Sequence, residues 1–180
     1  MAATLTSAAP GSERADTPQQ RLERLYHACR DDVYAYVASL LRDRALAEDV
    51  TSLAFERAFQ RRRLFDARRG SERAWLFGIA RNAALDELRR ARRSGALLGD
   101  AADEQPEAAG DDNESAVRRA AVAAALQTLD ARERELVALK FHAGLSNGEI
   151  ARVLGVSESN AGTLLHRTVN KLRKACDEQA

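Results

Sequence analysis

Apolar residues between positions 22 and 41 recur at steps of three and four: Leu22, Leu25, Tyr26, Cys29, Val33, Tyr36, Val37, Leu40 and Leu41. That spacing keeps one face of an α-helix apolar for about five turns. Asp43 supplies an N-cap for a second helix, predicted to turn Leu46, Val50, Ala54 and Ala58 inward. A basic stretch, QRRRLFDARRG, closes at Gly70, and Ser71 caps a third helix that carries Trp75, Leu76, Ile79, Ala80 and Ala83 toward the arginines at 89–93. Farther along, Val122, Leu126 and Leu129 predict a short helix. Asp130 and Glu133 have the spacing of a capping box for the next one, whose apolar side is Leu136, Val137 and Leu139. Ser146 and Glu149 repeat that spacing before Ile150, Ala151, Val153 and Leu154, and Gly155 ends the helix in a conformation glycine takes cheaply. Ser157 caps a last helix to about residue 176. No segment shows the period of two expected of a half-buried strand, so the fold class is all-α.

Between these elements the texture changes. All three prolines, Pro10, Pro18 and Pro106, lie outside the periodic pattern. Residues 1–18 read as a disordered tail, and residues 94–115, SGALLGDAADEQPEAAGDDNES, as a flexible linker. Two small helical domains remain, at 19–93 and 116–176, each with a thin core. The chain has 180 residues, 45% of them hydrophobic and 5% aromatic, which fits small helical units better than a β core. No run approaches the roughly 20 apolar residues of a membrane span. The first residues have neither the basic start nor the apolar stretch of a secretory signal, so a cytoplasmic location is expected.

Charge sharpens this division. The net charge of +1 is a sum of unlike parts. Residues 19–93 hold 17 arginines against 11 acids, a net +6, whereas residues 94–115 hold seven acids and no base. Residues 116–180 hold 10 bases against seven acids, a net +3. Two basic blocks around an acidic one point to a polyanion partner more strongly than the total does. The acidic segment reads as a solvated spacer holding two domains apart; mimicry of nucleic acid is the other reading.

Little argues for catalysis or a cofactor. Cys29 and Cys176 lie far apart with no paired spacing, and His27, His142 and His166 fall at no metal-ligand spacing. No nucleophile with a partnered base and no glycine-rich phosphate loop is present. A non-enzymatic chain without cofactor or metal is expected.

The recognition chemistry lies in two segments. Residues 145–173, LSNGEIARVLGVSESNAGTLLHRTVNKLR, read as helix, glycine turn and helix, with small Ala151 at the crossing. This is the pattern of a helix-turn-helix, whose second helix can enter a major groove. Its outward candidates are Ser159, Asn160, Thr163, His166, Arg167 and Asn170; Asn160 and Arg167 suit base edges, and the others suit edges or phosphates. In residues 75–93, WLFGIARNAALDELRRARR, the residues Asn82, Asp86, Arg89, Arg90 and Arg93 share one helix face. Eleven arginines against four acids across 61–93 make a salt-sensitive nucleic-acid surface. Trp75 can stack on a base, but beside Leu76 and Ile79 it reads first as a core anchor.

AEDVTSLAFERAF at 47–59, WLFGIARNAALDELRR at 75–90 and the helix-turn-helix follow in that order. Together they resemble the extracytoplasmic-function (ECF) group of bacterial sigma factors, the promoter-specificity subunits of RNA polymerase. The resemblance covers about 20–93 and 116–174. It implies that Glu48, Asp49, Glu56 and Arg57 dock on core RNA polymerase. It implies that the Phe65–Arg73 loop, with Arg68, Arg69 and Ser71, captures a flipped base of the −10 element, beside Asn82, Asp86, Arg89, Arg90 and Arg93. The last helix would read the −35 element as duplex, and the helices at 117–141 would meet the polymerase flap. The expected partners are core RNA polymerase, promoter DNA and an anti-sigma protein.

Two positions depart from the family pattern. The recognition helix reads Ala161-Gly162-Thr163-Leu164-Leu165 where members commonly carry two cationic residues, and Ser52 replaces a glutamine in the polymerase-docking segment. The alternative function is a stand-alone helix-turn-helix regulator. Such regulators usually dimerise; this chain offers no evident dimerisation helix, so a monomer is expected when free.

Overall fold

The computed structural model describes residues 17–94 and 113–177. Among them the regular structure is helical: α1 (Pro18–Leu41), α2 (Arg44–Arg61), two short 3-10 turns at Arg62–Leu64 and Ala67–Arg69, α3 (Glu72–Ser94), α4 (Asn113–Gln127), α5 (Ala131–Phe141), α6 (Asn147–Leu154) and α7 (Glu158–Asp177). The tail through residue 16 and most of the acidic linker lie outside the described residues.

Local chemistry accounts for the helix ends. Thr17 and Gln20 form a capping box in which Thr17 Oγ1 accepts from the Gln20 amide at 3.2 Å and Gln20 Oε1 accepts from the Thr17 amide at 3.0 Å. Pro18 therefore belongs to the first turn of α1 rather than to the tail; proline suits that position because its missing N–H has no helical partner there. Asp43 caps α2 through the Leu46 amide at 3.0 Å. Asp130 with Glu133 and Ser146 with Glu149 close the two predicted capping boxes. Gly155 ends α6 at φ 70°. The ends of the acidic segment are helical, with Ser94 in α3 and α4 beginning at Asn113.

α1, α2 and α3 pack into a three-helix unit. Its centre is Val33, Tyr36, Val37, Leu41, Leu76 and Phe77, all essentially without solvent contact. The Tyr36 and Phe77 rings meet edge to face, with centroids 5.4 Å apart. Three positions differ from the pattern. Tyr26 is 40% exposed and lies edge-on against Phe55, which takes the inward place instead. Leu46 is only partly buried, because Ala47 takes the inward position one residue on. Trp75 sits at the rim, 5.6 Å from the Phe65 ring, while Phe77 fills the core.

In the second unit α7 packs against α4, α5 and α6. Val122 is 49% exposed; Ala125 and Leu129 are buried instead, Leu129 just past the end of α4. The larger departure concerns the two units together. α5 lies on α1 and α6 lies on α3. Leu136, Leu139, Leu145 and Ile150 join the N-terminal residues in one continuous apolar core. The domains expected to be held apart are in contact. Joint burial of apolar surface outweighs the separation a charged spacer would favour.

Candidate nucleic-acid interface

On α3, Asn82, Asp86, Arg89, Arg90 and Arg93 all point to solvent, as the helical spacing requires. Their side chains are not equivalent. Asp86 accepts from Arg89 Nη1 and from Arg57 Nη1, both at 3.3 Å, so it positions two cations rather than facing a polyanion alone. Arg90 pairs with Glu87, and Arg93 Nε donates to the Arg89 carbonyl at 3.3 Å. These partners hold a row of guanidinium groups along the last turns, where cations also suit the helix dipole. Such exposed pairs exchange readily for phosphate oxygens, since surface ion pairs contribute little.

The basic turn before α3 is built tightly. Asp66 Oδ1 accepts from the Arg68 amide at 3.0 Å, Gly70 adopts φ 146°, and Ser71 Oγ accepts from the Ala74 amide at 3.1 Å. A side chain at Gly70 would collide with the Arg152 guanidinium. The Arg68 and Arg69 side chains are exposed. The Ser71 hydroxyl also donates to the Glu149 carboxylate of α6. That bond holds the Glu149 carboxyl below the usual carboxylate range, against a smaller opposing effect of burial.

On α2, Glu48, Asp49, Ser52 and Glu56 form an exposed polar face. Arg57 is not part of it: half-buried, it turns toward Asp86 on α3.

α6, the Gly155 turn and α7 make the helix-turn-helix. Ala151 and Ala161 are buried where the helices cross, so two small residues permit close approach. Ser159, Asn160, Thr163, His166, Arg167 and Asn170 are all exposed on α7. Thr163 Oγ1 donates to the Ser159 carbonyl at 2.9 Å, and Asn170 Nδ2 lies 2.9 Å from His166 Nε2. Gly162 is half-buried; a Cβ there would meet Asn147 Nδ2 of α6 at 3.5 Å, an ordinary contact. Leu164 packs partly against the core.

Sequence reasoning missed Arg73, Arg81 and Glu135. Glu135, 8% exposed on α5, accepts from Arg81 Nε at 2.7 Å and from the Tyr36 hydroxyl at 3.2 Å. Burial pushes the Tyr36 phenol well above the usual tyrosine range, and the Glu135 carboxylate adds to the effect. Arg73 binds Asp32, donates to Cys29 Sγ at 3.1 Å and to the His142 carbonyl at 3.2 Å, and also reaches the Ala143 carbonyl. Burial raises the Cys29 thiol pKa, partly offset by the Arg73 charge. Among the described residues no group of three or more His, Cys, Asp or Glu side chains could hold a metal ion. No described helix is long and apolar enough to cross a membrane.

Residues 25–94 match the Sigma-70 region 2 family and residues 119–172 match the Sigma-70, region 4 family. The chain is 32% identical over 158 residues to the ECF RNA polymerase sigma factor SigL of Mycobacterium tuberculosis, covering 87% of this chain and 89% of that one. The chain belongs to the ECF sigma factors. The ECF sigma factor BldN of Streptomyces coelicolor is 34% identical over 162 residues; the match covers 87% of this chain and 61% of BldN. Two solved structures share the fold of this ECF chain. The sigma factor RpoE, crystallised with the anti-sigma factor NepR from Bartonella quintana, superposes with a TM-score of 0.71 at 22% identity, covering 88% of this chain and 98% of that one. CnrH in complex with the cytosolic domain of CnrY gives 0.62 at 26% identity, covering 90% and 91%.

Proposed function

We propose that this chain binds core RNA polymerase and directs it to promoters, with the N-terminal domain opening the −10 element and α7 reading the −35 element as duplex. The observation that carries the reading is the order, on one chain, of a region 2 match bearing the α3 arginine row and a region 4 match bearing a helix-turn-helix with a polar outward face. Asn82, Arg68, Arg69 and Ser71 meet the unstacked strand. Arg89, Arg90 and Arg93 hold its phosphates, with Asp86 orienting Arg89. Opening costs a few kcal/mol per extruded base, which these contacts offset. Asn160 and Arg167 read base edges; Ser159, Thr163, His166 and Asn170 reach edges or phosphates. Glu48, Asp49 and Glu56 face core polymerase, and Arg57 braces α2 against α3. The chemistry of RNA synthesis belongs to the polymerase, so the chain acts without catalysing, in the cytoplasm where that enzyme works. The sigma factor RpoE, of the same fold, has been crystallised with an anti-sigma factor; a cognate anti-sigma protein is the regulator expected here, and the free chain is a monomer.

Run-off transcription with purified core polymerase on a promoter library tests the reading. Defined start sites that depend on this protein support it. Absence of any start site, together with duplex binding by a dimer, overturns it in favour of a stand-alone regulator.

A further inference from the structure

We infer that Arg57 of α2 and Arg89 of α3 form a phosphate clip, templated by Asp86, that takes one phosphodiester of the unstacked strand. The inference rests on the proposed assignment of the α3 face to the −10 element and extends that face onto α2.

One carboxylate serves two helices. Asp86 Oδ1 accepts from Arg89 Nη1 and Asp86 Oδ2 accepts from Arg57 Nη1, both at 3.3 Å. The first pair is three residues apart on α3, a spacing the helix itself brings together. The second is 29 positions apart and crosses from α2 to α3. The Arg57 guanidinium is thus turned away from the polar face of Glu48, Asp49 and Glu56 and lies at the seam beside the arginine row. Two guanidinium groups this close repel one another; the carboxylate between them holds them side by side. The trio, two cations and one anion, keeps a net positive charge. Each arginine engages Asp86 through Nη1, and among the described residues neither makes a further side-chain hydrogen bond through Nε or Nη2. Arginine presents its donors in a rigid planar fork, so the remaining edge suits phosphate oxygens while the first bond stays made. Both side chains reach solvent, 30% of Arg57 and 68% of Arg89 being exposed. Asn82 lies about one turn earlier on the same exposed face. The clip therefore takes a phosphate flanking the base that Asn82 meets.

The clip is exposed in the free chain, so the full-length protein is tested directly, with a short fluorescent single strand of random sequence titrated across a range of salt. Arg57→Gln should weaken binding about tenfold at low salt, the lower end for a hydrogen bond to a charged group. Its affinity for core polymerase should stay unchanged. Arg57→Gln combined with Arg89→Gln should lower the slope of log affinity against log salt by about 0.7, the share of one single-strand phosphate. A fall of about 1.4 would mean two separate phosphates and overturn the shared clip. Arg57→Lys keeps the charge but has no second edge, so it should recover only part of the loss; full recovery would overturn the fork geometry. Unchanged strand binding by Arg57→Gln, or no strand binding by the wild type at low salt, overturns the site. Loss of polymerase affinity with strand binding intact overturns it too and gives Arg57 to the polymerase interface. Circular dichroism checks each fold. Should Arg57→Gln not fold, Arg57→Lys carries the test, and binding equal to wild type overturns the clip. Run-off transcription by the wild type is read separately. Its failure removes the promoter reading and leaves the strand data to judge the clip, whereas the clip can fail while transcription succeeds.

Discussion

Replacing Gly162 by alanine should stabilise the protein, and replacing Gly155 by alanine should do the reverse. Gly162 lies inside α7 without positive φ, and an added Cβ would meet Asn147 Nδ2 at 3.5 Å. Nothing must move, so the helix-propensity difference of about 0.8–1.0 kcal/mol is gained almost whole. Gly155 also has open space around it, but its φ is +70°. A Cβ there meets its own backbone, at a cost of about 1–2 kcal/mol. For a chain of this size 1 kcal/mol corresponds to about 2–4 °C in melting temperature. Urea and thermal unfolding followed by circular dichroism should therefore move the two midpoints in opposite directions. A Gly162→Ala midpoint at or below wild type would refute the reasoning. The same variant separates two roles for this glycine. Because the missing Cβ points at α6, binding to duplex DNA should be unaffected; a large loss would mean that DNA approaches the backbone there.

Other expectations follow from named contacts. Asn82→Ala and Arg90→Ala should impair promoter opening, followed by permanganate reactivity, more than −35 duplex binding; equal loss in both assays would reject the division between the domains. Thr51 is buried with its hydroxyl unpartnered, so Thr51→Val should raise stability by about 1 kcal/mol in chemical denaturation. Tyr36 keeps its proton in the folded state to a higher pH than in the unfolded chain. Above about pH 10 the unfolded state binds fewer protons, so stability falls as pH rises. Absorbance at the tyrosinate band should show one of the three tyrosines titrating only with the loss of structure. Cys29 is 2% exposed beneath the Arg73 network, whereas Cys176 is half-buried near the end of α7. A thiol reagent should label Cys176 well before Cys29, and equal rates would contradict the closed packing.

The helices were legible because their signals are local. Asp130 with Glu133, Ser146 with Glu149, and Gly155 each act within a few residues, so spacing alone places them. The outward face of α7 was legible for the same reason. Where inward positions are alanine the pattern loses contrast: Ala47 displaced Leu46, and Ala125 displaced Val122. The joint between the domains left no sequence signal. Arg81 and Glu135 are 54 positions apart, and Arg73 and Ala143 are 70 apart. In the sequence such residues look like ordinary solvated charges; only the folded chain shows Glu135 to be buried. Polar contacts of this range have no period to read, and so the contacts of Glu149 with Ser71 and of Arg152 with the Arg69 carbonyl could not be foreseen from residues already singled out for DNA.

The continuous core also bears on whether either domain can stand without the other. Leu136, Leu139, Leu145 and Ile150 are shielded partly by the N-terminal helices, and separation of the domains wets that surface. Contiguous apolar surface on a small protein promotes association and marks the chain for degradation. Either domain produced without the other would carry that patch uncovered and should associate more readily than the whole chain.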